Sequence, residues 1–183
     1  NWHTDHSYDQ ISALGSMLYA KELPKVGGDT LFAGCAAAFD TLSEGMKSTL
    51  RSLRAVHSSR HVFGKSAAIP DDMADLFGNA DKALQDAEHP VVIKHPLSGR
   101  ETLYVNPGFT TRFVGWTEKE SNSLLAFLYE HISRPEHTYR FQWSKGALAF
   151  WDNRATWHLA VNDYPGETRL MHRITIEGEP LEP

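Results

Sequence analysis

Two residues near the start of the chain and one near its end are of the types a metal site needs. His3 and Asp5 stand two apart in Trp2-His3-Thr4-Asp5, and on a strand the period of two sends both side chains to one face. A His-x-Asp triplet often arises by chance, so a third ligand is needed. His158, in Trp151-Asp152-Asn153-Arg154-Ala155-Thr156-Trp157-His158, follows a strand and a polar turn and is the candidate. The chain has ten histidines and one cysteine, Cys35, which excludes an intramolecular disulfide and zinc sites built on several thiolates. A metal here is held by imidazole and carboxylate, ligands that suit iron, manganese, copper, nickel or catalytic zinc.

Two imidazoles and one carboxylate on one side of a metal leave the opposite positions open, the facial arrangement of non-haem Fe(II) oxygenases. The chain also offers two cations to anions. Arg169 and Arg173 are four apart in Arg169-Leu170-Met171-His172-Arg173, so on a strand they share a face, about 13 Å apart along the chain. Guanidinium is the preferred bidentate partner of carboxylate, sulfonate and phosphate, and one strand of this kind can read two anions. Two surface arginines on an edge strand are the plain alternative.

Holding such groups in place requires strands, and short apolar runs punctuated by Gly and Pro supply them. Leu14 to Leu23 reads as a strand stopped by Pro24, and the turn-rich Lys25-Val26-Gly27-Gly28-Asp29 leads into Thr30 to Ala33. Ala36 to Leu53 predicts two short helices, with Thr41 and Glu44 at capping-box spacing. Val91 to His95 and Arg100 to Val105 read as a hairpin, and Thr138 to Trp143, Ala147 to Trp151 and Arg169 to Ile176 as further strands. The clearest helix runs from Thr117 to Ile132, with Thr117 and Glu120 as its capping box and Leu124, Leu125, Leu128 and Ile132 on one face. Residues 64–89, acidic and weakly periodic, read as a lid or a surface insertion. His57 and His61 share a face of the strand-like Val56 to Val62 and read as a surface pair; Cys35 reads as a small buried residue.

The composition agrees with one mainly β domain with interspersed helices, a barrel or jelly roll. The 183 residues are 41% hydrophobic and 22% charged, and 18 Lys and Arg against 23 Asp and Glu give a formal charge of −5. That balance excludes a basic nucleic-acid binder and a polyanion. No run approaches the roughly 18 apolar residues of a membrane span, and Asn1-Trp2-His3 lacks the regions of a signal peptide, so the expected setting is cytoplasmic and away from membranes.

Taken in order, Trp2-His3-Thr4-Asp5, Gly27-Gly28-Asp29-Thr30, Asn106-Pro107-Gly108-Phe109-Thr110-Thr111-Arg112, Trp151-Asp152-Asn153-Arg154 with His158, and Arg169-Leu170-Met171-His172-Arg173 make the chain resemble the taurine dioxygenase family of Fe(II)- and 2-oxoglutarate-dependent oxygenases. The resemblance spans essentially the whole chain. It implies a double-stranded β-helix, or jelly-roll, core, here lacking the substantial portion that members carry before the metal-binding His-x-Asp.

The resemblance further implies that His3, Asp5 and His158 ligate Fe(II), and that Thr30 and Arg169 bind the distal carboxylate of 2-oxoglutarate, with Trp151 packed near the co-substrate. Arg173 would face the anionic group of a small organic substrate, a sulfonate, sulfate ester or carboxylate. Phe109, His6 and Tyr8 would line the substrate pocket; plain core packing is the alternative for Trp151 and Phe109. Strand alternation would turn His6 and Tyr8 away from the metal, so that placement requires the chain to bend after Asp5. Dioxygen is the other reactant, and succinate and carbon dioxide are products. By family analogy the assembly is a homodimer or homotetramer. A non-catalytic metal- or carboxylate-binding β-barrel is the alternative from another class, and a zinc hydrolase gives no reason for Thr30 with Arg169.

Overall fold

In the computed structural model, which describes residues 1–63 and 85–183, short strands are the commonest regular element. The first half runs β1 (Gly15–Glu22), β2 (Thr30–Gly34), α1 (Cys35–Asp40), α2 (Glu44–Arg51), β3 (Arg54–Ser58), α3 (Arg60–Phe63) and β4 (Asp86–Pro90). The second half runs β5 (Val92–Lys94), β6 (Glu101–Leu103), β7 (Thr110–Phe113), α4 (Glu118–Ile132), a 3₁₀ turn (Pro135–His137), β8 (Thr138–Phe141), β9 (Leu148–Asp152), β10 (Thr156–Ala160) and β11 (Leu170–Ile176). No described helix is long and apolar enough to cross a membrane.

The strands pair antiparallel into sheets of order β11-β1-β9, β10-β2-β8 and β4-β3-β7, with β5 and β6 as a hairpin. Period-two alternation then sorts the side chains. In the first sheet Ser16 lies opposite Trp151 and Thr175, and Leu18 opposite Ala149 and Arg173, so these residues share the inner face. Tyr19, Leu148, Phe150 and Ile174 stand exposed on the outer one. In the second sheet Trp157 and Ala33 pair on one face, and His158 and Phe32 on the other. The two inner faces meet at Phe32 and Trp151, 5.3 Å apart between ring centroids, and at Trp151 and His158, 4.8 Å apart.

Behind the second sheet lies the apolar core. Trp157 joins Phe39, Leu50, Phe113, Leu125, Leu128 and Ile132 there, and its indole donates to the Val105 carbonyl at 2.8 Å. The helix α4 seals one side and starts where its sequence indicates: the Thr117 hydroxyl accepts the Glu120 N–H, and the Glu120 carboxylate accepts the Thr117 N–H at 2.9 Å. The cap of α2 differs from expectation. Thr41 donates to the Ala38 carbonyl at 2.9 Å at the end of α1, so Ser43 takes the N-cap and accepts from Met46.

A further expectation is corrected. His57 is fully buried rather than on the surface, because β3 is the central strand of its sheet and His57 faces inward; His61 lies in α3, off that strand. The predicted lid falls mostly on residues 64–84, outside the described residues, and its end is the paired strand β4, in which buried Ala87 and His89 alternate with exposed Asp86 and Glu88.

Burial, reinforced by neighbouring His89, holds the His57 imidazole well below its ordinary range, and burial also lowers His89 against the opposing Asp9 and Ser7 backbone. The unfolded chain takes up protons at these rings near pH 6.5 while the folded chain does not, so stability is fully present above that pH and falls as the pH drops toward the lowered values. The urea midpoint should therefore be lower at pH 5 than at pH 7.5, with a smaller difference in His57→Gln; equal midpoints would contradict the burial of neutral imidazoles. In the core, Leu128→Ala should cost about 2–5 kcal/mol in the same assay, and Thr117→Ala about 1 kcal/mol. A Leu128→Ala cost below that of Thr117→Ala would contradict the placement of the core.

Candidate metal and co-substrate site

The metal ligands predicted from sequence come together, although by a different local route. His3 makes an isolated bridge with His158: His3 N–H donates to the His158 carbonyl at 3.1 Å, and His158 N–H to the His3 carbonyl at 2.9 Å. Extended pairing stops there. The chain turns from Asp5, His6 has φ 55°, and Asp9 N–H closes on the His6 carbonyl at 3.1 Å. His3 and Asp5 thus converge because the bridge anchors one and the turn aims the other. His3 Nε2 and His158 Nε2 each lie 3.6 Å from Asp5 Oδ1, and one ligand atom from each residue lies within 4.8 Å of the other two.

Asp5 is 4% exposed. Its burial works against the charge, but the His3 ring, His158, Arg173 and the Ser16 hydroxyl outweigh it and hold the carboxyl well below the usual range. Its second oxygen, Oδ2, accepts from Ser16 Oγ at 2.6 Å and from Arg173 Nη2. Ser16 is itself held: Asn153 Nδ2 donates to its hydroxyl at 3.2 Å, and Trp151 Nε1 donates to Asn153 Oδ1 at 2.9 Å. Burial likewise drives His158 down to about 3, against the pull of Asp5 and with help from His3 and Arg173, so at neutral pH its ring is uncharged. A neutral imidazole beside an ionised carboxylate is the protonation state that metal coordination needs. With metal–ligand distances of about 2 Å, donors separated by about 3–4 Å can share one ion. The three donors fit a dication, and the mixture of nitrogen and oxygen without thiolate fits Fe(II).

A second group of predicted residues gathers around the Arg169 side chain. Thr30 is buried, and its hydroxyl accepts from Trp143 Nε1 at 3.0 Å. The Arg169 guanidinium lies 5.9 Å from the Trp143 ring centroid and donates through Nε to the Gly28 carbonyl at 2.9 Å. Arg169 Nη2 is buried without a hydrogen-bond partner among the described residues. A buried guanidinium N–H without an acceptor is costly, and a ligand carboxylate at this position would supply one. Gly28 makes the approach possible: its φ is 73°, and a Cβ there would stand 3.1 Å from Arg169 Cδ. From Trp143 an aromatic wall runs through Phe141, Phe32 and Trp151 to His158.

The remaining predicted residues sit on the other side of the triad. Tyr8 and Phe109 meet at 4.8 Å between ring centroids, and Phe109 lies 6.1 Å from the His3 ring. The bend after Asp5 brings His6 to 5.5 Å from the Tyr8 ring, with Nδ1 2.9 Å from Asp9 Oδ2. Arg173 reaches inward from β11 to Asp5 and keeps 43% of its side chain exposed. Sequence reasoning missed Ser16, Trp143, Asn153 and Asn106. Trp143 ends a predicted strand, and its inward parity was the available signal; the others are polar residues whose roles depend on partners remote in sequence.

This geometry has close relatives. Residues 1–175 match the family described as "Taurine catabolism dioxygenase TauD, TfdA family". An alkylsulfatase of Acinetobacter baylyi is 38% identical over 185 residues, covering 98% of this chain and 57% of that protein. An alpha-ketoglutarate-dependent sulfate ester dioxygenase of Pseudomonas putida is 37% identical over 183 residues, covering 98% of this chain and 60% of the relative. The chain therefore spans somewhat over half the length of these relatives. Among solved structures, AAD-2 in complex with Mn(II) and N-oxalylglycine superposes with a TM-score of 0.85 at 30% identity, over 98% of this chain and 69% of that one. With the jelly-roll core, the clustered His3, Asp5 and His158, and a family match over nearly its whole length, the chain belongs to the TauD and TfdA dioxygenase family.

Proposed function

We propose that the protein is an Fe(II)- and 2-oxoglutarate-dependent dioxygenase that hydroxylates a C–H bond of a small anionic organic substrate, a sulfonate, a sulfate ester or an aryloxy or carboxylic acid. The observation that carries this reading is the pairing, inside one two-sheet interior, of a His–Asp–His donor cluster with an arginine, Arg169, whose Nη2 is buried and has no hydrogen-bond partner among the described residues. The names of the two curated relatives support a sulfate ester within that range.

In this reading His3 Nε2, Asp5 Oδ1 and His158 Nε2 hold Fe(II), and Arg169 with the Thr30 hydroxyl receives the distal carboxylate of 2-oxoglutarate. Bound together, metal and co-substrate supply the oxidising power for hydroxylation, consuming dioxygen and releasing succinate and carbon dioxide. The chain's residues bind and orient. Ser16 keeps Asp5 Oδ2 engaged, so that Oδ1 points to the metal. Trp151 packs against His158 and screens it from water. An arginine has five N–H donors, so the arm of Arg173 on Asp5 leaves others for the substrate anion. Tyr8 and Phe109 form the apolar wall against which the substrate carbon rests, and His6 adds a polar edge.

Oxygen uptake and succinate formation with Fe(II), 2-oxoglutarate and a panel of sulfonates, sulfate esters and aryloxy acids test the proposal. The expected outcome is uptake coupled to at least one panel member. Arg169→Ala should weaken 2-oxoglutarate binding about tenfold to a hundredfold, the scale of a hydrogen bond to a charged group. Arg173→Ala should abolish substrate-coupled uptake while 2-oxoglutarate still binds. Absence of succinate with every compound would favour a non-catalytic binder, and loss of 2-oxoglutarate binding in Arg173→Ala would contradict the division between the arginines.

A further inference from the structure

Tyr8 and Phe109 are carried by two segments far apart in sequence, the irregular loop after Asp5 and the turn before β7. One buried side chain joins them. Asn106 is 1% exposed and Ser7 is fully buried. Asn106 Oδ1 accepts the Phe109 N–H at 2.9 Å, and Asn106 Nδ2 donates to Ser7 Oγ at 2.9 Å. The Asn106 backbone is fixed as well: its N–H donates to Thr110 Oγ1 at 2.8 Å, and its carbonyl accepts from Thr110 N–H at 2.9 Å and Tyr129 OH at 3.2 Å. An amide so enclosed cannot rotate without breaking bonds on both sides, and neither bond has water to replace it.

The same turn presses on the metal site. Gly108 lies so close to His3 that a Cβ would come within 2.7 Å of His3 Cβ and 3.2 Å of Asn106 Oδ1. The loop is tied down at further points: His89 Nε2 lies 3.0 Å from the Asp9 carbonyl, and Tyr104 OH donates to Ser12 Oγ at 2.6 Å. Those contacts hold the loop to the β4-β3-β7 side, whereas Asn106 alone among these residues holds both Ser7, next to Tyr8, and Phe109 itself.

We infer that Asn106, through Ser7, is a positioning residue that holds Tyr8 and Phe109 together as one wall and thereby sets the room left for substrate beside the metal. The inference rests on the functional reading above for the substrate, and on geometry alone for the clamp. Ser7→Ala removes one acceptor, and Asn106→Leu removes both bonds at similar volume. Asn106→Asp restores them in altered form, since its carboxylate accepts hydrogen bonds from the Phe109 N–H and, with the direction reversed, from the Ser7 hydroxyl.

The test joins steady-state kinetics on the Fe(II)-loaded chain to hydrogen–deuterium exchange of the metal-free chain. Ser7→Ala should raise KM for the primary substrate about tenfold, the scale of one lost buried hydrogen bond, with KM for 2-oxoglutarate unchanged. Amide exchange should accelerate together in residues 6–12 and 108–111. Asn106→Leu should do more, and Asn106→Asp should recover most of the difference. An unchanged primary-substrate KM beside a lowered melting temperature would reduce Asn106 to a structural residue, and faster exchange in one segment alone would break the clamp. A wild-type chain that forms no succinate would overturn the functional reading, and the exchange measurement would then decide the clamp by itself.

Discussion

A carboxylate that is 4% exposed must be surrounded by partners or give up its charge, and Asp5 is surrounded. His3 and His158 stand on Oδ1, and Ser16 and Arg173 on Oδ2. These partners come from the N-terminal segment, β10, β1 and β11, so no single element can supply the environment that keeps Asp5 ionised. The two-sheet interior has to be assembled first. The reciprocal backbone bonds between His3 and His158 close the last gap, pinning the N-terminal segment to β10 at the point where both imidazoles are needed.

Around that carboxylate the sheets do different work. The β10-β2-β8 sheet is a partition: Trp157 faces the apolar core, while His158 faces the site one residue later. Its inner face also carries Phe32 and leads to Thr30, so His158 and Thr30 share one face of the same sheet. The opposite sheet contributes Trp151 and the two arginines. Arg169 and Arg173 reach different targets, Gly28 with a buried open N–H in one case and Asp5 in the other. The side built on sheets thus carries His158, Thr30 and the two arginines, and the side built on loop and turn carries Tyr8 and Phe109.

Much of this was legible in the sequence, for reasons that can be named. Arg173 reaches inward from β11, as the strand repeat indicates, while Arg169 stands one residue before that strand, and α4 is capped by Thr117 because a capping box is a local device. His3 and Asp5 converge as the triplet indicates, but the assumed strand ends at His3 and a turn with His6 at φ 55° does the aiming. That bend also reconciles the placement of His6 and Tyr8 with strand alternation. His57 was misread because its burial depends on strands on both sides of β3, one of them hidden by the acidic residues of β4. Ser16, Asn106 and Asn153 carry no local pattern, since a buried polar residue is defined by its partners.

Three side chains, two from one end of the sequence and one 153 residues beyond Asp5, converge as the donors of a single candidate metal site. Anaerobic titration of the metal-free chain with Fe(II), followed by calorimetry, measures this directly. One ion per chain is expected, with binding lost in His3→Ala and in His158→Ala and retained in Arg169→Ala. Unchanged Fe(II) affinity in both histidine variants would contradict it.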